Sequence, residues 1–440
     1  MKKNLLGIIA ALFVLALLLP VGAHATDNVY AILYTDGTLV FQNGNTPESG
    51  RTATNTYAVD LSAAYTLNPD TWTPDTPWYD ERTSVRVVSF ADRVNPVSTA
   101  YWFNDCTNLE RVENIQNLDT ANVTDMNHMF CGCLWLTELD VSHFNTANVT
   151  DMSYMFSDCW RLPELDVSRF NTANVTNMEY TFAYCKALTE LDVSHFNTAN
   201  VTTMYGMFYD CEKLTELDVS HFDTAKVRHM VTMFGYCSGL TALDLSHFDT
   251  ANVIGMDAMF GHCDGLTVLD LSSFDTVKAS TMTYMFEGSP NLTTIYVSDR
   301  FTTASVGGSN DMFADCTSLV GGNGTRFSES HTDKEYARID TASAPGYFTY
   351  KTAPVSYAIT AAAPGTNGQL SVTLTNSGAA TFAAAYFDTN GKFVSADVQG
   401  VSANAGTVTS SVPANAKTAR VMLFDNDCRP LCVPFEATIS

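Results

Sequence analysis

Carboxylates recur in this sequence at a fixed interval. Asp140, Asp166, Asp192, Asp218, Asp244 and Asp270 follow one another every 26 residues, and Glu138, Glu164, Glu190 and Glu216 each precede one of them by two. The Glu column stops where Ala242 and Val268 take its place. If successive copies stack, neighbouring carboxylates lie about 5 Å apart, the spacing of adjacent strands. At that distance two negative charges repel by ~0.8 kcal/mol in water and ~3 kcal/mol at intermediate dielectric. A row of six needs something that offsets this. Hydrogen bonds from the nearby strand-end backbone would do so and are the commoner arrangement; a basic partner or Ca²⁺ is the functional alternative. The eight residues in which both columns coincide, from Glu138 to Asp218, are the candidate partner-binding set.

Histidine and serine recur beside them. His143, His195, His221 and His247 form a row broken by Arg169 and Ser273, and each ends an Asp-x-Ser-His tetrapeptide. That tetrapeptide holds the residue types of a catalytic triad, yet a triad needs one convergent pocket, while neighbours on a strand point to opposite sides. A copy in nearly every repeat therefore reads as exposed loop chemistry. The sequence has no Gly-rich phosphate loop, no His-Glu-x-x-His and no nucleophile elbow. No catalytic, cofactor-binding or metal-ligating residue is assigned, and a hydrolase hidden in the flanking segments is disfavoured.

Cysteine is the third periodic element. Eight of nine Phe-x-x-Cys positions carry it, and Cys133, Cys159, Cys185, Cys211, Cys237 and Cys263 are each 26 residues apart. Stacked equivalents point the same way about 4.8 Å apart, whereas a disulfide needs convergent Cβ atoms at about 3.8 Å. Buried thiols acting as small apolar groups fit that geometry better, and same-column sulfurs cannot surround a zinc ion. Cys428 and Cys432, in Cys-Arg-Pro-Leu-Cys, are the one plausible disulfide.

The elements that must position these columns follow from the period, since a constant repeat of this length means one unit stacked many times. Met126, Met129, Phe130 and Cys133 fall at i, i+3, i+4 and i+7, which predicts a short helix capped by Thr124 or Asp125. Leu136, Leu139 and Val141 then predict a short strand with Asp140 outward. Thr120 and its six successors form an unbroken row whose hydroxyls should bond backbone of their own or the next coil. The paired positions after the first Met, such as Asn127-His128 and Ser153-Tyr154, vary as solvent-facing helix positions would.

Five segments result. Residues 1–25 read as a signal peptide, with Lys2 and Lys3 before an apolar run and Ala23-His24-Ala25 at the cleavage site. Residues 26–99 read as a β-rich N-terminal cap with a hairpin at Asp36-Gly37. The repeats occupy 100–316, and 317–354 form a C-terminal cap and linker. Residues 355–440, with a hairpin turn at Asn390-Gly391, read as an immunoglobulin-like β-sandwich. The expected fold is thus a leucine-rich-repeat-like solenoid, with a parallel β-sheet on one face and short helices on the other, between non-repeat caps and before an all-β sandwich.

The block Leu-Asp-Val-Ser-x-Phe-Asn/Asp-Thr-Ala-Asn-Val-Thr-x-Met-x-x-Met-Phe-x-x-Cys resembles the repeat of BspA-type leucine-rich-repeat surface proteins of bacteria. The resemblance includes the lead-in Ser98-Thr99-Ala100-Tyr101-Trp102-Phe103 and the exit from Gly321-Gly322-Asn323-Gly324-Thr325 to Tyr336-Ala337-Arg338-Ile339-Asp340. It covers roughly residues 85 to 350. It departs at Phe144 and its equivalents, where the usual leucine-rich repeat has Asn. The resemblance implies a secreted or surface-displayed protein with adhesion or interaction roles.

Charge narrows the partners. The chain carries a formal net charge of −24, and loss of Lys2 and Lys3 on cleavage would make it −26. That repels nucleic acid and anionic membrane, and no segment after the leader is apolar and long enough for stable membrane insertion. The expected activity is non-catalytic binding of an extracellular protein or glycan, basic in character, on the repeat face. The alternative is a structural spacer that displays another module.

Overall fold

The computed structural model describes residues 28–352, 357–364, 369–376, 380–389, 392–402, 406–424 and 435–439. The expected leader, the Asn390-Gly391 turn, and Cys428 with Cys432 lie outside the described residues. The chain divides into two units, Met1–Lys351 and Thr352–Ser440.

Asp36-Gly37 reverses the chain between β1 (Val29–Tyr34) and β2 (Thr38–Asn43), which pair antiparallel. Gly37 has φ +83°, and a Cβ there would meet the Ser84 carbonyl oxygen at 2.8 Å, so glycine is required on both counts. β3 (Ala53–Ala58) flanks β1, while β4 (Val87–Phe90) and β5 (Arg111–Glu113) extend the sheet in parallel, giving the order β3-β1-β2-β4-β5. On one face Phe41 stacks on Trp102 at 5.3 Å and meets Trp78 edge-on at 5.2 Å. This aromatic cluster covers the apolar end that the first repeat would otherwise expose.

The repeats stack coil on coil, joined by one isolated parallel bridge per step, from Ser98↔Asp125 through Asp151, Asn177, Thr203, His229, Gly255 and Thr281 to Gly308. The columns point inward as their apolarity demands. Met126, Met129, Phe130 and Cys133 are all fully buried, and so are their equivalents in the next coils. The Phe rings from Phe130 to Phe286 lie nearly parallel, with centroids 5.8–6.1 Å apart. Each Thr hydroxyl in the unbroken row bridges to the next coil; Thr172 Oγ1 donates to the Asn197 carbonyl at 3.0 Å and accepts its N–H at 2.7 Å. The ladder cysteines are free, and Cys185 Sγ donates to the Phe156 carbonyl of the preceding coil at 3.3 Å. Ser289 in the same column donates to the Phe260 carbonyl at 3.1 Å, which explains why a hydroxyl is tolerated there.

The expected fold class needs correction. The leucine-rich-repeat-like solenoid, with helices on one face and a continuous parallel sheet on the other, does not form. Among the described residues the only helices are three short 3₁₀ segments, none in the repeated Met-Phe stretches, and the strands make several small separate sheets. The reason lies in the backbone donors. His128 and Gly132 sit at φ +54° and +75°, and the same two positions are left-handed in each following coil, which no α-helix accommodates. The N–H groups of Met126, His128, Phe130 and Gly132 go to carbonyls of the next coil, at 2.9–3.0 Å. Those of Met129, Cys131 and Cys133, interleaved with them, close turns within the coil at 3.2 Å. A helix would keep all of these bonds inside its own segment; here half of them hold the coils together. The apolar spacing that suggested a helix is met equally by this run of turns.

The opposite face is also interrupted. β6 (Val268–Leu271), β7 (Thr294–Val297) and β8 (Phe348–Tyr350) form a parallel three-stranded sheet at the C-terminal end of the stack. Between β5 and β6 the Leu-Asp-Val segments carry no ladder. Beyond β7, Tyr347 and Phe348 pack on Phe313 and close the end. Asp340 secures this closure by accepting from the backbone of Asn323 and Thr325 and from the Thr325 hydroxyl, at 2.7–2.9 Å.

The second unit is antiparallel throughout. β9 (Tyr357–Pro364), β10 (Gln369–Asn376), β11 (Ala380–Phe387), β12 (Phe393–Val401), β13 (Thr407–Ser411), β14 (Thr418–Phe424) and β15 (Phe435–Thr438) make two sheets, ordered β13-β10-β9 and β12-β11-β14-β15. Leu370, Val372 and Leu374 from one sheet share a core with Phe382, Tyr386, Val421 and Leu423 from the other. The Tyr386 hydroxyl and Ser410 Oγ, 2.6 Å apart, tie the two together.

Candidate functional site

In the extended segment after each Phe-x-x-Cys, side chains alternate in direction. Leu165 and Val167 turn into the core, so Glu164 and Asp166 must face out, and the same alternation holds one coil before and two coils after. All eight acidic residues singled out from the sequence line one open groove of about 670 Å³: Glu138, Asp140, Glu164, Asp166, Glu190, Asp192, Glu216 and Asp218. Leu139, Leu165, Leu191 and Leu217 form its floor. The groove lies in the stretch without a ladder. Among the described residues the backbone N–H groups of Leu139, Leu165, Leu191 and Leu217 have no backbone acceptor.

The Asp column is oriented from within. Asp140, Asp166, Asp192 and Asp218 each accept the N–H of the serine two residues on, at 2.9–3.0 Å. The serine side chain, then its backbone N–H, holds each of these carboxyls below the ordinary carboxylate range. Local donors therefore account for the persistence of the column, and they leave the carboxylates charged and outward. Among the described residues none of the eight forms an ion pair. The contrast is Asp270, farther along the same column, which Lys351 pairs from the C-terminal closure. The column is ion-paired where a lysine reaches it, and among the described residues it has no ion pair along the groove.

The histidine row has a structural task. His195 Nε2 and His221 Nε2 lie 2.8 Å and 3.0 Å from the carbonyls of Val167 and Val193 in the preceding coils. Ser273 makes the same bond to Leu245 at 2.9 Å. His247 Nδ1 touches the adjacent Ser246 hydroxyl at 3.1 Å, but among the described residues no carboxylate is hydrogen-bonded to the ring. Among the described residues no group of three or more His, Cys, Asp or Glu side chains is placed to hold a metal ion.

Sequence reasoning missed a second groove. Tyr101 and His128 stack at 4.6 Å, His128 and Tyr154 at 4.4 Å, and Tyr154 and Tyr180 follow at 4.9 Å. These are positions read as variable and solvent-facing. Each is left-handed, which turns the ring along the coil surface instead of outward from a helix. Their aromatic character in four successive coils was the available signal. Burial between the tyrosines pushes His128 down to about 4, so the ring is neutral. Together with Leu67, Trp72, Pro74 and Tyr79 of the cap, the column lines a groove of about 390 Å³.

A family model described as "Mycoplasma protein of unknown function, DUF285" matches residues 97–216 and again 202–325, together about half of the chain. No curated protein and no solved structure matches.

Proposed function

The chain belongs to the DUF285 family of unknown function, and on that premise we propose that it is a non-catalytic, secreted or cell-surface protein whose acidic groove binds a basic segment of an extracellular partner. One observation carries the reading: eight carboxylates from four coils line one apolar-floored groove, and among the described residues none of them forms an ion pair. Bringing Lys or Arg side chains to that array relieves the repulsion along it, and the fixed coil pitch presents the contacts in series. Lys351 on Asp270 is an internal example of the contact. The leucine floor adds apolar contact for the stems of those side chains. Adhesion or host contact is the role this binding serves. A catalytic reading has less support, because two of the four Asp-x-Ser-His copies place their histidines, His195 and His221, on carbonyls of the preceding coil.

The test uses an oligolysine peptide and calorimetry over a range of salt. The parent should bind it, with affinity falling steeply as salt rises. Glu164→Gln, Asp166→Asn, Glu190→Gln and Asp192→Asn combined keep shape and remove four charges; this variant should lose at least tenfold in affinity with its melting curve preserved. Equal binding and equal salt dependence in the two proteins would reduce the groove to a solvated surface and favour the spacer reading.

A further inference from the structure

The aromatic groove between the cap and the first coils is distinct in chemistry from the acidic one. Tyr101 stacks on His128 through one face only. Trp72 and Tyr79 line the same groove and make no ring contact with Tyr101 among the described residues. Trp72 is 79% exposed and held at φ +57° on its loop, a costly placement for a large apolar side chain that serves no core.

The polar groups point to the charge of the ligand. Asp105 and Asp158 line the groove, and no Lys or Arg does. Two cations that act on its lining are engaged: Arg82 lies over the Tyr79 ring at 4.0 Å, and Lys186 is held by Asp210 at 2.8 Å. Both groove carboxylates already accept from neutral donors. Asp105 takes the Tyr79 hydroxyl at 3.1 Å and Asn104 Nδ2 at 3.0 Å; Asp158 takes Trp160 Nε1 at 3.0 Å and Ser157 Oγ at 3.1 Å. They offer negative field more than vacant hydrogen-bond sites. A compact, strongly hydrated ammonium gains least in such a place. A cation without N–H donors, sheathed in methyl groups, gains most, because aromatic faces replace its weak hydration.

We propose that this groove binds a methylated ammonium group, the chemistry shared by choline-type headgroups and trimethyllysine side chains. The volume of about 390 Å³ falls at the small end of ligand sites and accommodates one such headgroup. The site is independent of the acidic groove, and four of its lining residues come from the cap.

The experiment titrates the full chain with choline chloride, with a peptide bearing trimethyllysine, and with 3,3-dimethyl-1-butanol, the uncharged isostere of choline. Choline should saturate the protein and quench tryptophan emission, and the isostere should bind at least tenfold more weakly. Trp72→Ala, an exposed position whose loss leaves the core intact, should weaken choline at least tenfold. Asp105→Asn with Asp158→Asn, which removes the charges, leaves one acceptor oxygen at each position and suits the left-handed backbone, should do the same. Saturation by choline alone identifies a headgroup, and saturation by the peptide identifies a modified lysine; each supports the site. No saturation by either cation overturns it, as does an isostere that binds as tightly as choline or binding unchanged in the charge-removed variant. The four-fold amide variant of the acidic groove should bind choline normally, which separates failure of one site from failure of the other.

Discussion

Replacing Thr172 by Val tests how the coils are held together. The hydroxyl is buried, donates to the Asn197 carbonyl at 3.0 Å and accepts the Asn197 N–H at 2.7 Å, so one atom satisfies two backbone groups of the next coil. Valine keeps the shape and removes both partners. Each orphaned group costs about 1–3 kcal/mol. Allowing for the better burial of valine, the net loss should be about 2–4 kcal/mol. Thr172→Ser keeps both bonds and loses only a methyl, worth about 1 kcal/mol. Urea unfolding of the two variants measures the difference, and hydrogen exchange at the Asn197 amide locates it: protection should fall in the valine variant and survive in the serine one. If valine and serine prove equally stable, or if the Asn197 amide exchanges alike in both, the threonine row is incidental to stacking and its hydroxyls do not hold coil to coil.

Thiol titration of unreduced, denatured protein should find the eight ladder cysteines free, while in the native state they should resist alkylation. Burial pushes their pKa values up, to about 12 for Cys263 and Cys316. Mass mapping that joined Cys159 to Cys185 would contradict the stack. Cys185→Ser should be nearly neutral in unfolding experiments, because Ser289 already makes the equivalent bond. Asp192 tests the acidic column by pH. The Ser194 side chain and N–H hold its folded pKa below the ordinary 3.8, so its contribution is present above that value and is lost as pH falls through the folded one. Asp192→Ala should therefore be less stable than the parent at about pH 7, and the gap should close as pH falls below 3.8 and through the lowered folded pKa. A gap that stays constant with pH would remove the serine–carboxylate bond from the stability of the coil.

Much of this protein is legible in its sequence. The columns of Met126, Met129, Phe130 and Cys133 had to be buried, because apolar spacing constrains which side of the chain avoids water whatever the backbone does. The acidic columns are legible for the same reason: strict repetition places like residues on like positions. What spacing leaves open is the destination of each N–H. His128 and Gly132 turn left-handed and half the donors cross to the next coil, so turns replace the expected helices. That choice is made by the neighbouring coil, which no single repeat contains. The eight carboxylates line one groove along the stretch without a ladder between β5 and β6. The aromatic groove is least legible of all. Trp72 and Tyr101 are far apart in sequence, and only the packing of the cap on the first coil brings them to one surface.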